Sequence, residues 1–251
     1  MGQLIAVSGK GGVGKTTVSA LIVRQLLKGN KTPVLAIDAD PNSCLDAALG
    51  QRVVSTIGSV REETKEEAAK GAVTGVSKQE MLRLKIAESI VEASGFDILA
   101  MGRPEGPGCY CYANNVLKAA IGEISGQYPY VVLDNEAGLE NLSRRIVQAL
   151  DVLVMVSDPS NAGLGTLMRL YDLSKEMQIQ YRKLVIIINR IRNGLPSRME
   201  EIASYTHADL IVGLPDDAEL ASFAEEGRSF LEIEDDNRVL ALIDTVLDQN
   251  L

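Results

Sequence analysis

The chain has 251 residues, 46% apolar and 24% charged, an ordinary globular composition with enough material for one sizeable core. A net charge of −9 argues against a polyanion partner, because a non-specific nucleic-acid binder needs Lys and Arg to displace counterions. No apolar run approaches the roughly 20 residues that span a bilayer, the N-terminus lacks a signal-peptide layout, and three cysteines suit a reducing compartment better than a disulfide scaffold, so one cytoplasmic domain over 1–251 is expected, with no nucleic-acid and no membrane partner.

Apolar, β-rich runs recur at 3–8, 33–37, 96–101, 130–133, 152–157 and 184–189, with a shorter one at 210–213 that ends in a predicted turn over 214–217. Between them lie turns and longer segments of helical spacing, among them helices predicted over 17–28, 217–226 and 236–248. The alternation reads as α/β. Because the strands are almost continuously apolar, they are expected to be buried on both faces, in a mostly parallel sheet with helices on both sides. Functional loops then belong at the C-terminal ends of the strands. The charged stretch 61–70 mixes both signs without an apolar stripe and reads as a solvated helix or an insertion, with no chemistry assigned.

The string Gly9-Lys10-Gly11-Gly12-Val13-Gly14-Lys15-Thr16 satisfies the P-loop pattern, directly after one strand and at the opening of a helix. Its glycines let backbone N–H groups turn inward around phosphate oxygens, and the helix N-terminus adds a dipole favourable to negative charge. Gly11, Gly12, Val13, Gly14 and Thr17 are nucleotide contacts on this reading. Lys15 is expected on the β- and γ-phosphates of ATP and Thr16 on Mg2+. A glycine-rich strand-to-helix turn without a ligand is the bland alternative.

Two acidic loops accompany it. Asp38-Ala39-Asp40-Pro41-Asn42 follows the second run, and Asp134-Asn135-Glu136-Ala137-Gly138 has the apolar-strand-then-Asp form of Walker B. Asp134 is assigned to the Mg2+ water shell, and Asp38 to Mg2+ or its waters. Either Asp could instead cap a turn or a helix.

Lys10 is not required by the general motif. With it, the loop resembles the deviant Walker A of the dimeric ATPases that include MinD, ParA and the nitrogenase iron protein. The resemblance implies a homodimer in which Lys10 reaches the partner's nucleotide and completes charge stabilisation when two subunits close, in the manner of an arginine finger. It also implies that Asp40, in a loop like the family's switch I, orients or activates the attacking water. Lys10, Lys15 and Asp40 are therefore the catalytic candidates. Adenine recognition is implied at Asn189 and at Leu214, Pro215 and Asp216, with Arg190 either stacked on the ring or facing solvent. A plain surface lysine is the other reading of Lys10.

Cys109 and Cys111 lie in a Gly- and Pro-rich loop after the third strong strand, a composition that turns and exposes the backbone. A Cys-X-Cys pair can present two thiolates to one soft metal. A tetrahedral site normally takes four ligands, and an isologous dimer would bring a second pair to its axis. A redox-active dithiol and unengaged surface thiols stay open as alternatives. Taken together, the P-loop, the runs DPNSCL, RPEGPGCYCYAN and DNEAGL resemble the nickel-insertion ATPases of carbon monoxide dehydrogenase and acetyl-CoA synthase. That resemblance implies Ni2+ or Zn2+ on the cysteines of both subunits and a nickel enzyme as client, with an inclination to acetyl-CoA synthase. Two rivals are kept. A MinD- or ParA-like positioning ATPase needs a membrane or DNA handle, and Asp235, Asp236, Asp244 and Asp248 against Arg238 make a poor one for anionic lipid. An iron–sulfur electron-transfer ATPase could also use four thiolates from a dimer. Cys44 is expected to be a small buried residue, and His207 a solvated or capping one.

Overall fold

The computed structural model describes residues 2–60, 62–63, 78–103, 118, 122–139 and 149–250. Among the described residues eight strands form one sheet: β1 (Gln3–Gly9), β2 (Val34–Asp38), β3 (Val91–Glu92), β4 (Phe96–Ala100), β5 (Tyr130–Asp134), β6 (Leu150–Ser157), β7 (Tyr181–Ile191) and β8 (Leu210–Pro215). Their order is β3-β4-β2-β5-β1-β6-β7-β8. Every pairing is parallel except β3 with β4.

The α-helices that lie wholly among the described residues are α1 (Lys15–Lys28), α2 (Leu45–Ala48), α3 (Lys78–Glu88), α4 (Asn161–Glu176), α5 (Met199–Thr206), α6 (Ala218–Glu226) and α7 (Arg238–Asn250). Successive strand residues point to opposite faces, and both faces are covered. Ile5, Val7, Ala36, Val132 and Val154 share one core with Val18 and Ile22 of α1 and Ile243 of α7. Their alternates Ala6, Leu35, Ile37, Leu133 and Met155 share the other with Leu164 and Leu167 of α4 and Ile202 of α5. Two-sided burial, at about 1.5–3 kcal/mol for each aliphatic side chain removed from water, is the reason these strands read as unbroken apolar runs.

Several boundaries differ from the sequence expectation. β7 extends beyond its apolar centre into polar residues at both ends, because backbone pairing continues there: Lys183 is the register partner of Val152 and Ile191 that of Pro215. Leu214 and Pro215 consequently close β8 instead of forming a turn. The antiparallel β3 escapes sequence reading, since two residues are too few to display a period. Of the stretch 61–70 only residues 62–63 are described, and there Glu63 pairs with Lys85 at 3.7 Å.

β1 lies between β5 and β6: on one side the chain passes out through β2 to β4 and β3 and returns with β5, and on the other it runs outward through β6, β7 and β8. Ligands of open α/β sheets bind beyond the carboxyl ends of the strands at such a reversal. α1 leaves β1 at this point. Its buried Arg24 anchors the helix to the far end of the chain through the Ile233 carbonyl and Asp235, the latter at 2.8 Å.

Candidate functional site: a phosphate loop between two acidic strand ends

The loop from Gly9 to Gly14 joins β1 to α1. Gly14 occupies the N-cap position with φ 94°, a left-handed conformation that favours glycine, and a side chain on it would overlap the Asn189 amide. Unlike α4, where Ser160 accepts from Gly163, and α6, where Asp217 accepts from Glu219 and Leu220, α1 has no side-chain cap and no acidic residue in its first turn. Its leading N–H groups and dipole thus face the loop with no side-chain cap among the described residues. Lys15 is buried, with its Nζ 3.4 Å from the Lys10 carbonyl. A buried ammonium with one long hydrogen bond beside an uncapped helix end fits a phosphate group.

Asp134, at the end of β5, accepts a hydrogen bond from Ser19 Oγ at 3.0 Å and lies within the influence of the Thr16 hydroxyl. Burial pushes its carboxyl up to about 7, against the opposing pull of the two hydroxyls and Lys15, while Asp38 adds to the rise. Asp38 is the register partner of Asp134 on β2. Burial likewise raises Asp38, to about 6, although backbone N–H groups of Leu45, Asp40 and Cys44 bond to it. A divalent cation would offset this concentration of negative charge. Thr16, Asp134 and Asp38, the residues expected around Mg2+, are thus brought together.

The Asp38 carboxylate also holds the loop that follows it. Oδ1 accepts from Asp40 N at 3.0 Å, and Oδ2 accepts from Cys44 N at 2.8 Å and Leu45 N at 2.9 Å. These bonds, with Ser43 at φ 43°, turn Leu45 into the core and leave Cys44 exposed, contrary to the expectation of a small buried residue. The Cys44 thiol is pushed up by partial burial and by the carboxylates of Asp38, Asp40, Asp134 and Asp46, which disfavours its thiolate. Asp40 stands beyond this clamp, partly exposed, with Oδ1 accepting from Asn42 N at 2.8 Å and Asn42 Nδ2 at 3.0 Å.

The second acidic loop folds back on the first strand. Asn135 N donates to the Val7 carbonyl at 3.1 Å, Gly138 N to the Gly9 carbonyl at 3.0 Å, and Ser8 Oγ to the Gly138 carbonyl at 2.7 Å. Lys10 is exposed, and its charge reaches Asp158 at the end of β6. Burial pushes the Asp158 carboxyl up, but the Ser160 hydrogen bonds and Lys10 outweigh it and hold it below its usual value.

Asn189 and Arg190, at the end of β7, contact the phosphate loop directly. Asn189 Nδ2 donates to the Val13 carbonyl at 2.9 Å, its Oδ1 accepts from Arg190 N at 3.0 Å, and the Arg190 guanidinium donates to the Gly12 carbonyl at 3.1 Å. One N–H and one acceptor site of the half-buried Asn189 amide, the group expected to read the base, are thus engaged with the loop and with Arg190. Leu214 is buried and offers no side chain to a base, while Asp216 accepts from Arg192 Nε at 2.6 Å. A cleft of about 530 Å3 lies beside the loop, lined by Asp158, Ser160, Arg190, Arg192, Gly194 and Leu195.

Cys109 and Cys111 lie outside the described residues, and no group of three or more potential metal-binding His, Cys, Asp or Glu occurs among the described ones. His207 is exposed at the C-cap of α5 with φ 50°, donating its N–H to the Ala203 carbonyl at 3.0 Å. No described helix is long and apolar enough to cross a membrane. Ser19, Asn42 and Arg103 had no role in the sequence reading. Ser19 carried a signal nonetheless, for it lies one helical turn after Thr16 on the same face of α1.

Residues 4–230 match the family model described as the CobQ/CobB/MinD/ParA nucleotide binding domain. The chain is similar to an uncharacterised ATP-binding protein of Methanocaldococcus jannaschii, 37% identical over 98% of both chains. It is also similar to the carbon monoxide dehydrogenase accessory protein CooC of Rhodospirillum rubrum, 28% identical over 91% of this chain and 89% of that one. Among solved structures, the MinD cell division protein of Aquifex aeolicus superimposes with a TM-score of 0.68 at 26% identity, covering 98% of this chain and 95% of the other.

Proposed function

The chain belongs to the CobQ/CobB/MinD/ParA nucleotide-binding family, and on that premise we propose that it is a Mg2+-dependent ATPase working as a homodimer to mature a nickel enzyme. Water attacks the γ-phosphorus, the bond to the β,γ-bridging oxygen breaks, and ADP and inorganic phosphate leave. Lys15 and the backbone of 11–14 would hold the phosphates, and Thr16, with Asp134 and Asp38 toward its waters, would hold Mg2+, which would offset charge on the phosphate oxygens. Asp40 orients the water, and Lys10 from each subunit completes the other's site. The observation that carries the hydrolytic reading is the convergence of Lys15, Thr16 and Asp134 at the uncapped start of α1.

The cargo reading rests on Cys109 and Cys111 between the two acidic loops, supported by the similarity to the carbon monoxide dehydrogenase accessory protein. Four thiolates from two subunits would hold one Ni2+ or Zn2+. ATP-driven closure would alter that site, and linkage requires the metal to alter ATP affinity by the same factor. The client is acetyl-CoA synthase or carbon monoxide dehydrogenase, and the setting cytoplasmic. Metal content of anaerobically purified protein is the test. One Ni2+ or Zn2+ per dimer, lost in Cys109→Ser and changed in affinity by ATP, is expected. A brown, sulfide-containing protein would instead identify an iron–sulfur electron carrier.

A MinD-like positioning ATPase is the second reading, favoured by the superposition on the A. aeolicus protein. It predicts hydrolysis stimulated by a vesicle or DNA and indifferent to Cys109→Ser.

A further inference from the structure

The chain leaving β4 is bonded to the end of β2, from which the loop carrying Asp40 departs. At the end of β4, Met101 N donates to the Asp38 carbonyl at 2.8 Å, and the Met101 carbonyl accepts from Gly58 N at 2.9 Å. Gly102 follows with φ 62°, packed so that a side chain there would overlap Thr56. The backbone leading into Arg103 is therefore held on two sides. From that fixed base the Arg103 guanidinium donates to Asn42 Oδ1. Asn42 in turn donates both its backbone N–H and its Nδ2 to Asp40 Oδ1.

We propose that Arg103 is a positioning residue for the Asp40 carboxylate, acting through the Asn42 amide. An amide bonded at one end by a cation and at the other by a carboxylate has its orientation fixed, and each bond polarises the next. The same Oδ1 carries both Asn42 bonds, which leaves Oδ2 without a protein partner among the described residues and available to a water. Without Arg103 the amide can rotate, and Asp40 loses a defined direction while phosphate binding at Lys15 is untouched. The inference rests on the reading of Asp40 as the water-orienting group.

The test compares steady-state ATP hydrolysis by wild type, Arg103→Ala, Arg103→Lys, Asn42→Ala, the Arg103→Ala/Asn42→Ala pair and Asp40→Ala. One exposed, charge-assisted hydrogen bond predicts a fall in kcat of about five-fold for Arg103→Ala, with KM unchanged. Lys at position 103, keeping charge and a donor, restores part of the rate, and the double variant is no slower than Asn42→Ala, since both changes cut one chain of bonds. A merely structural role would lower the unfolding midpoint and leave the kcat-against-KM split and the non-additivity absent. If Asp40→Ala stops turnover while Arg103→Ala does not slow it, or if the two single losses multiply, the relay is wrong and the ATPase reading stands. Normal turnover in Asp40→Ala overturns the role of Asp40 and the relay with it.

Discussion

Asp38 and Asp134 stand opposite one another at the ends of β2 and β5, each 1% exposed. Their backbones are tied together by the bond from Ala39 N to the Asp134 carbonyl at 2.9 Å. Both carboxyl groups are buried, and the charge of Asp38 raises Asp134 further, so the two resist ionising together. The protein alone holds them at the cost of stability, and a bound cation relieves that cost.

This has a pH signature. Asp134 rises from 3.8 to about 7 and Asp38 from 3.8 to about 6, chiefly through burial. Groups whose folded pKa lies above the unfolded value give the folded state its extra protons between the two. Their contribution is complete below about pH 4 and is lost as pH rises through 6 and 7. Replacing Asp134 by Asn keeps an acceptor for Ser19 and removes one charge. In EDTA and without nucleotide, the melting temperature of Asp134→Asn relative to wild type should climb between pH 4 and 8. A difference that stays flat over that range would show that the carboxyl ionises as freely in the folded chain as in water.

Lys10 separates phosphate binding from hydrolysis. It is exposed in the single subunit, within electrostatic reach of Asp158, whereas Lys15 is buried in the loop. Lys10→Ala should therefore bind ATP with near-normal affinity, fail to dimerise on ATP and hydrolyse it about 1,000-fold more slowly, the scale of a cation supplied in trans. Light scattering with and without ATP, beside a binding titration, checks all of these. Unchanged turnover would return Lys10 to an ordinary surface residue.

Gly14 carries a steric prediction. Its φ of 94° is left-handed, and a methyl group there would force the adjacent Asn189 amide to move. Gly14→Ala should destabilise the protein by about 1–3 kcal/mol from backbone strain, before any overlap is counted. ATP binding should be lost even where the variant is folded, as circular dichroism with a nucleotide titration would establish.

The parts of the site legible in sequence are those in which local chain chemistry dictates the geometry. The glycines of 9–14 need a turn, and an Asp at the end of an apolar strand projects at the sheet's carboxyl edge. The helix expected over 217–226 forms as α6, with Asp217 as its cap, accepting from Glu219 and Leu220 at 3.1 Å each. What sequence did not display are contacts between distant segments. Arg103 meets Asn42 across 61 positions and Ser19 meets Asp134 across 115. Cys44 failed for a related reason: its type predicts burial, but the Asp38 clamp decides which of Cys44 and Leu45 faces the core. The same holds for the ends of β7, where pairing with neighbouring strands overrides a fading apolar pattern.

Asn189 offers a choice between two roles that one experiment separates. As a base-reading group it would lower affinity for ATP when removed and leave a nucleotide with another base unaffected. The geometry supports a different task, because Nδ2 donates one N–H to the Val13 carbonyl and Oδ1 accepts from Arg190 N. Those bonds brace the outer side of the phosphate loop and hold Arg190 where it reaches the Gly12 carbonyl. Asn189→Ala should then weaken ATP and GTP by the same factor, about five-fold for one lost hydrogen bond to the loop. Calorimetric titration of wild type and variant with both nucleotides decides between them. A loss confined to ATP would mean that the amide turns from the loop to the base when nucleotide enters, and that its bonds to Val13 and Arg190 belong to the empty site alone.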